Sequence, residues 1–167
     1  MITEQIQKEI IDNFNTLDDD IEMSLNYLME LGEGLEPFDE ELRVDENIIK
    51  GCQSKVWLSH TYTDNKLLFF GDSNTAITKG LLSLLISVFN NRTPKEILDS
   101  KLFFINETGL CRFIGTQRSN GLEAMENKFN GRAMKTKLGH MISSSVLNRK
   151  CPLEILNMSY NNIGDHP

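Results

Sequence analysis

Val56-Trp57-Leu58-Ser59-His60-Thr61-Tyr62-Thr63-Asp64-Asn65-Lys66-Leu67-Leu68-Phe69-Phe70 decides the fold of this chain. Val56, Leu58, His60 and Tyr62 recur at every second position, the period of one strand face. Asp64-Asn65 is a turn signal, and Lys66–Phe70 reads as the returning strand. The stretch predicts a β-hairpin. Immediately upstream, Ile48 and Ile49 predict a short strand leading into a turn at Gly51. The segment Gly51-Cys52-Gln53-Ser54 therefore sits as a loop at the entrance of the hairpin.

Away from the hairpin the period becomes helical. Ile6, Ile10, Phe14 and Leu17 predict an amphipathic helix over residues 4–16. Asp18–Asp20 offer an N-cap for a second helix with the apolar face Ile21, Leu25, Leu28 and Leu31. Gly32 reads as its C-terminal stop. After the hairpin, Gly71-Asp72-Ser73 is expected to end the strand and cap a strongly apolar helix carrying Ala76, Gly80, Leu81, Leu84, Leu85 and Val88. Gly80 inside that helix costs about 1 kcal/mol relative to alanine, which predicts close packing against the sheet. Thr93-Pro94-Lys95-Glu96 is a capping box with proline at the first helical position. Phe103–Phe113 reads as a short helix on the core, and Ser119-Asn120 as the cap of a last helix through Gly121–Lys128.

The chain has 167 residues, enough for one core without disulfides or metals. It divides into a body, residues 1–130, and an extension, residues 131–167, which is expected to pack loosely. The 24 Asp and Glu outnumber the 17 Lys and Arg, a balance that argues against nucleic acid as the main ligand. Residues 1–46 hold 15 acidic side chains and only two basic ones, Lys8 and Arg43. That segment is either a solvated face or a surface that steers a basic partner. Met1–Phe14 is polar and amphipathic, and the apolar run around Gly80–Phe89 is too short to span a bilayer. Three widely spaced cysteines, Cys52, Cys111 and Cys151, do not form a disulfide framework. The expected setting is cytoplasmic, without a membrane, and with reduced thiols.

Candidate chemistry narrows to one thiol. His60, His140 and His166 do not stand at metal-ligand spacing with another His or Cys, so no metal is expected. Asp72, between strand and helix, could sit at an anion site, but capping is the better reading. Lys79 reads as a surface charge. Cys111, beside Leu110 and Phe113, reads as core. Cys52 follows a glycine that permits a tight turn, and Gln53 and Ser54 after it are polar, which places the sulfur on a loop. A loop thiol could attack a carbonyl with a histidine base, ligate a cluster with other thiolates, or attack another sulfur atom. The last needs only thiolate character and access.

Gly51-Cys52-Gln53-Ser54-Lys55-Val56-Trp57 resembles the cysteine-loop motif of the SufE family (SufE/CsdE-like), sulfur-acceptor partners of cysteine desulfurases. Gly71-Asp72-Ser73 with Lys79-Gly80-Leu81-Leu82, then Thr93-Pro94-Lys95-Glu96-Ile97-Leu98, then Arg118-Ser119-Asn120-Gly121-Leu122-Glu123-Ala124-Met125 are similar to its later blocks, in order. Tyr27-Leu28-Met29-Glu30-Leu31-Gly32 also fits. The resemblance covers roughly residues 5–128. It implies an α+β SufE/IscU-like fold, a small antiparallel sheet packed by helices on one side. It implies that Cys52 takes persulfide sulfur from a SufS-like desulfurase, activating it, and delivers that sulfur to an iron–sulfur scaffold. Pyridoxal phosphate belongs to the desulfurase, and no cofactor is implied for this chain. Gly51, Gln53 and Ser54 are expected to shape the loop. Arg118 either helps dock the partner or forms a surface ion pair. Trp57 is expected to be structural, on the sheet face that helices cover. The alternatives are an iron–sulfur cluster scaffold of similar fold, and a module that regulates a desulfurase without carrying sulfur.

Overall fold

The computed structural model describes the backbone of residues 2–52 and 54–141, and the side chains of these except 111–121 and 137–141. The hairpin forms as its alternation demands. Strands β1 (Val56–Thr63) and β2 (Lys66–Ser73) pair antiparallel, with Leu58 opposite Gly71 and Tyr62 opposite Leu67. Asp64 and Asn65 both take positive φ, 54° and 64°, the left-handed pair that matches the twist of a two-residue hairpin turn. Val56, Leu58, Leu67 and Phe69 face the core and are almost wholly buried.

Helix α1 (Ile2–Asn15) and helix α2 (Ile21–Glu33) precede the hairpin. Asp20 caps α2, its carboxylate accepting from Met23 N. Helix α3 (Ala76–Phe89) crosses behind β2, followed by α4 (Pro94–Asp99), α5 (Phe104–Glu107) and α6 (Leu110–Met141). The capping box at α4 is complete: Thr93 Oγ1 accepts from Glu96 N, and the Glu96 carboxylate accepts from Thr93 N. Gln7 ties α1 to the α4–α5 connection, donating to Lys101 O and accepting from Phe103 N. Helices cover one face of the sheet, giving the α+β arrangement that the hairpin and its helical surroundings predict.

Neither hairpin edge is left bare along its centre, where exposed N–H and C=O groups would invite foreign strands. On the β2 side, Leu67 N donates to Arg92 O, Asn91 N to Leu67 O, and Phe69 N to Asn90 Oδ1. On the β1 side, Ile49 N donates to Val56 O and Arg132 Nη2 to Leu58 O. The short strand expected at Ile48 and Ile49 is reduced to a single bridge between Ile48 and Trp57.

Several local expectations are corrected. Gly32 does not stop α2. The helix runs on to Glu33, and Gly32 is buried where a Cβ would stand 2.8 Å from Gly80 N. Gly80 packs against α2 rather than against the sheet, since its Cβ would fall 2.1 Å from Leu28 O. Ser119-Asn120 does not begin the last helix, because the backbone of α6 is continuous through both residues. An apolar stripe overrides the local stop signals: Leu122, Met125, Phe129 and Ala133 are all at most 3% exposed, and their spacing keeps one helix face on the core. The same stripe carries tight packing beyond residue 130, through Ala133 and Met134. Residues 142–167 of the expected extension lie outside the described residues. Finally, Trp57 lies on the sheet face away from α3, paired in register with Asp72 and covered by the Arg43 guanidinium at 5.0 Å from its ring centroid.

Candidate functional site

The loop that carries Cys52 is closed at its base by the Ile49 N–Val56 O hydrogen bond. Gly51 adopts φ +95°, a conformation disfavoured for residues with a side chain, and a Cβ there would lie 3.2 Å from Ala124 Cβ. Glycine is therefore required twice, for its backbone and for the approach of α6. On the downstream side, Lys55 is held from both directions. Its N–H donates to Asn74 Oδ1 at 3.0 Å, and its carbonyl accepts from Asn74 N and from Ser73 Oγ. Ser54 Oγ lies 2.7 Å from Thr75 Oγ1 and 3.3 Å from Thr78 Oγ1.

Cys52 is partly buried at the tip of this loop and packs against the hydrophobic core. Burial pushes its thiol up, to about 11, because a thiolate loses hydration where it sits. The resting sulfur is a protonated thiol. Gln53 lies outside the described residues, as does the side chain of Arg118, whose backbone is on α6 less than two turns before Ala124. The structure thus brings together Gly51, Cys52 and Ser54 of the expected site.

Asp72 does not cap a helix. Its carboxylate bonds to the Arg43 guanidinium and lies 3.2 Å from Lys79 Nζ, so Lys79 is an ion-pair partner rather than a bare surface charge. Burial works against ionisation of Asp72, but hydrogen bonds from Arg43, the Ser73 backbone and Lys79 outweigh it and hold the carboxyl below its usual range. Arg43 in turn is raised, chiefly by the bond to Asp72. Arg43 lies over Phe38 as well as Trp57. It pins the acidic connector, which runs directly into the cysteine loop, onto the outer sheet face. Sequence reasoning missed this clasp. The signal available was Arg43 itself, one of only two basic residues among the first 46.

A second clasp joins α6 to β1. Arg132 Nη1 lies 3.2 Å from His60 Nδ1, so the ring nitrogen accepts and the imidazole proton sits on Nε2. Burial pushes Arg132 down to about 10, which leaves it charged at neutral pH. Burial, then the charges of Arg132 and Lys135, lowers His60 to about 4. His60 must therefore remain neutral across the physiological range, and an NMR titration of its ring should show a midpoint near pH 4. The neutral ring stabilises the fold fully above the ordinary histidine pKa. That contribution is lost as pH falls from about 6.5 through about 4.

The outline of helices on one face of a hairpin also appears in a solution structure of a hypothetical protein from Thermus thermophilus. The two align with a TM-score of 0.64 at 20% sequence identity, over 78% of this chain and 94% of that one. At that identity the likeness speaks for the fold. The model of one family, described as SufE, Fe-S metabolism associated domain, matches residues 8–133. The chain belongs to the SufE family. SufE membership carries the role of a sulfur acceptor that partners a cysteine desulfurase of the SufS type. SufE proteins are typically sulfur-carrying partners rather than catalysts. The matched span contains the cysteine loop, the Arg43–Asp72 clasp and the α6 stripe through Ala133. Among the described residues, no helix is long and apolar enough to cross a membrane.

Proposed function

We propose that Cys52 is the acceptor residue, taking the terminal sulfur of a desulfurase persulfide and passing it to an iron–sulfur scaffold in the cytoplasm. The observation that carries this is the placement of Cys52: a partly buried thiol at the tip of a loop anchored at both ends, within the SufE span. The thiolate of Cys52 attacks the outer sulfur of the donor persulfide. A new S–S bond forms at Cys52, the donor S–S bond breaks, and the donor cysteine leaves as a thiolate that takes up the proton Cys52 gave up. No net oxidation occurs, and no metal or cofactor enters the step. Draining the persulfide lets the desulfurase turn over again, which is the stimulation expected of a SufE partner. The acceptor unit is residues 1–130 together with the α6 turn that buries Ala133 and Met134. Arg118 and Gln53 are assigned to loop shaping and docking.

The raised thiol pKa separates storage from reaction. A protonated, shielded sulfur resists oxidation but is a poor nucleophile. Docking must draw the loop outward and rehydrate it. Alkylation of Cys52 in the unbound protein should climb about tenfold per pH unit and show no plateau by about pH 10. Addition of the desulfurase should move the midpoint down toward the ordinary thiol range. The folded state holds this proton more tightly than the unfolded chain. Its contribution to stability is therefore complete below about 9 and declines as pH rises toward about 11. The test of the function is mass spectrometry after incubation with a cysteine desulfurase and cysteine. One added sulfur mapped to Cys52 supports the reading, and its absence there overturns it.

A further inference from the structure

Thr75 occupies the N-cap position of α3, with extended backbone at φ −126° and ψ 142°, but its side chain makes no capping hydrogen bond. A threonine at that position ordinarily accepts from a backbone N–H of the first turn. The capping residues Asp20 and Thr93 of this same chain do so. The Thr75 hydroxyl points elsewhere, to Ser54 Oγ at 2.7 Å, two residues beyond Cys52. Thr78, one turn into the helix and 6% exposed, places its own hydroxyl 3.3 Å from the same Ser54 oxygen.

The chain around this contact divides into a fixed part and a part that can swing. Lys55 is tied through its backbone to Ser73 and Asn74. One of them, Asn74 N to Lys55 O, continues the backbone pairing of the hairpin past Val56, and the Ser73 and Asn74 side chains supply the other two. Ser54 is the next described residue toward Cys52, and its tie to α3 is made by side-chain hydroxyls. Hydroxyl–hydroxyl bonds at a partly exposed position exchange readily with water. They can restrain a loop without locking it.

We propose that Thr75 is a positioning residue for Cys52. Its hydroxyl, diverted from capping α3, latches Ser54 with the help of Thr78 and holds the thiol in its shielded seat until docking draws the loop away. The meaning of the latch for sulfur transfer rests on Cys52 being the acceptor, whereas the latch itself does not.

The experiment is alkylation of the full chain by iodoacetamide at fixed pH, with Cys52 followed by peptide mass spectrometry so that Cys111 and Cys151 are read separately. Thr75→Val should label Cys52 about five-fold faster, the factor expected for one lost hydroxyl bond. Ser54→Ala, which removes that bond and the Thr78 contact from the loop side and leaves α3 untouched, should accelerate labelling by at least as much. The double variant should be no faster than Ser54→Ala alone, and Thr75→Ser, which keeps the hydroxyl, should label at the wild-type rate. An unchanged rate in both single variants overturns the proposal. So do accelerations that multiply in the double variant, since independent effects are not a shared bond. Sulfur uptake from a desulfurase is read on the same samples. Altered labelling without uptake at Cys52 keeps the latch and removes the acceptor reading. Uptake at Cys52 with unaltered labelling does the reverse.

Discussion

Cys52→Ser should lose sulfur uptake and desulfurase stimulation completely while keeping the fold. The substitution exchanges one sulfur atom for an oxygen at a partly buried loop position. Away from a tightly packed core, such a change costs about 1 kcal/mol or less, so melting temperature and circular dichroism should barely move. The chemistry, by contrast, has no substitute. A serine hydroxyl stays protonated at any accessible pH and cannot carry a persulfide, and transfer through a mixed S–S bond requires a thiolate. The measurement pairs labelled-cysteine turnover by the desulfurase with intact-mass analysis of this chain. Three outcomes separate the readings. Loss of both uptake and stimulation supports Cys52 as the acceptor. Full stimulation without uptake favours a module that regulates the desulfurase by binding alone. Uptake on Cys111 or Cys151 at the normal rate means that the site was assigned to the wrong thiol. A stable visible absorption spectrum after iron and sulfide reconstitution would favour the cluster scaffold instead.

What could be read from sequence, and what could not, follows from how far each interaction reaches along the chain. The hairpin was legible because alternation and the Asp64-Asn65 turn act over a few residues. The capping box was legible for the same reason, its two bonds joining Thr93 and Glu96. The Cys52 loop was legible from Gly51 before it and polar residues after it. Asp72 misled because a carboxylate between strand and helix satisfies the local rule for a cap, while the group that claims it, Arg43, lies 29 positions earlier. Thr75 then fills the cap position and gives its hydroxyl to Ser54. The last helix misled in the opposite sense. Ser119, Asn120 and the glycines of that region weaken a helix locally, but the stripe from Leu122 to Ala133 binds it to the core. The Arg132–Leu58 clasp joins positions 74 apart, and nothing near either residue announces it. Each miss is a long-range contact overruling a local preference.

Gly80→Ala should lower stability by about 3 kcal/mol despite a better helix former at the site. On propensity alone the change would gain about 1 kcal/mol. Against that stands the crossing of α2 and α3. The new Cβ would fall 2.1 Å from Leu28 O and 2.8 Å from Leu28 C. These are backbone atoms of α2, so no rotamer change can relieve the clash, and one helix must move. Neither helix is at liberty to do so. Gly32 closes the crossing from the other side, where a Cβ would meet Gly80 N at 2.8 Å, and Ser83 Oγ donates across it to Leu31 O. Leu28, Leu81 and Leu85, all at most 1% exposed, would lose contact as the helices part. In a domain of this size the loss corresponds to a fall in melting temperature of roughly 10 °C. The effect should also reach Cys52, because α3 and its cap carry Thr78 and Thr75, which hold Ser54. Thermal unfolding followed by circular dichroism, with iodoacetamide labelling of Cys52 below the transition, checks both. An alanine variant as stable as the parent would mean that α2 can withdraw without cost, and that the crossing does not fix where α3 begins. A destabilised variant with unaltered labelling would localise the damage to the α2–α3 contact and leave the hydroxyl latch at the start of α3 intact.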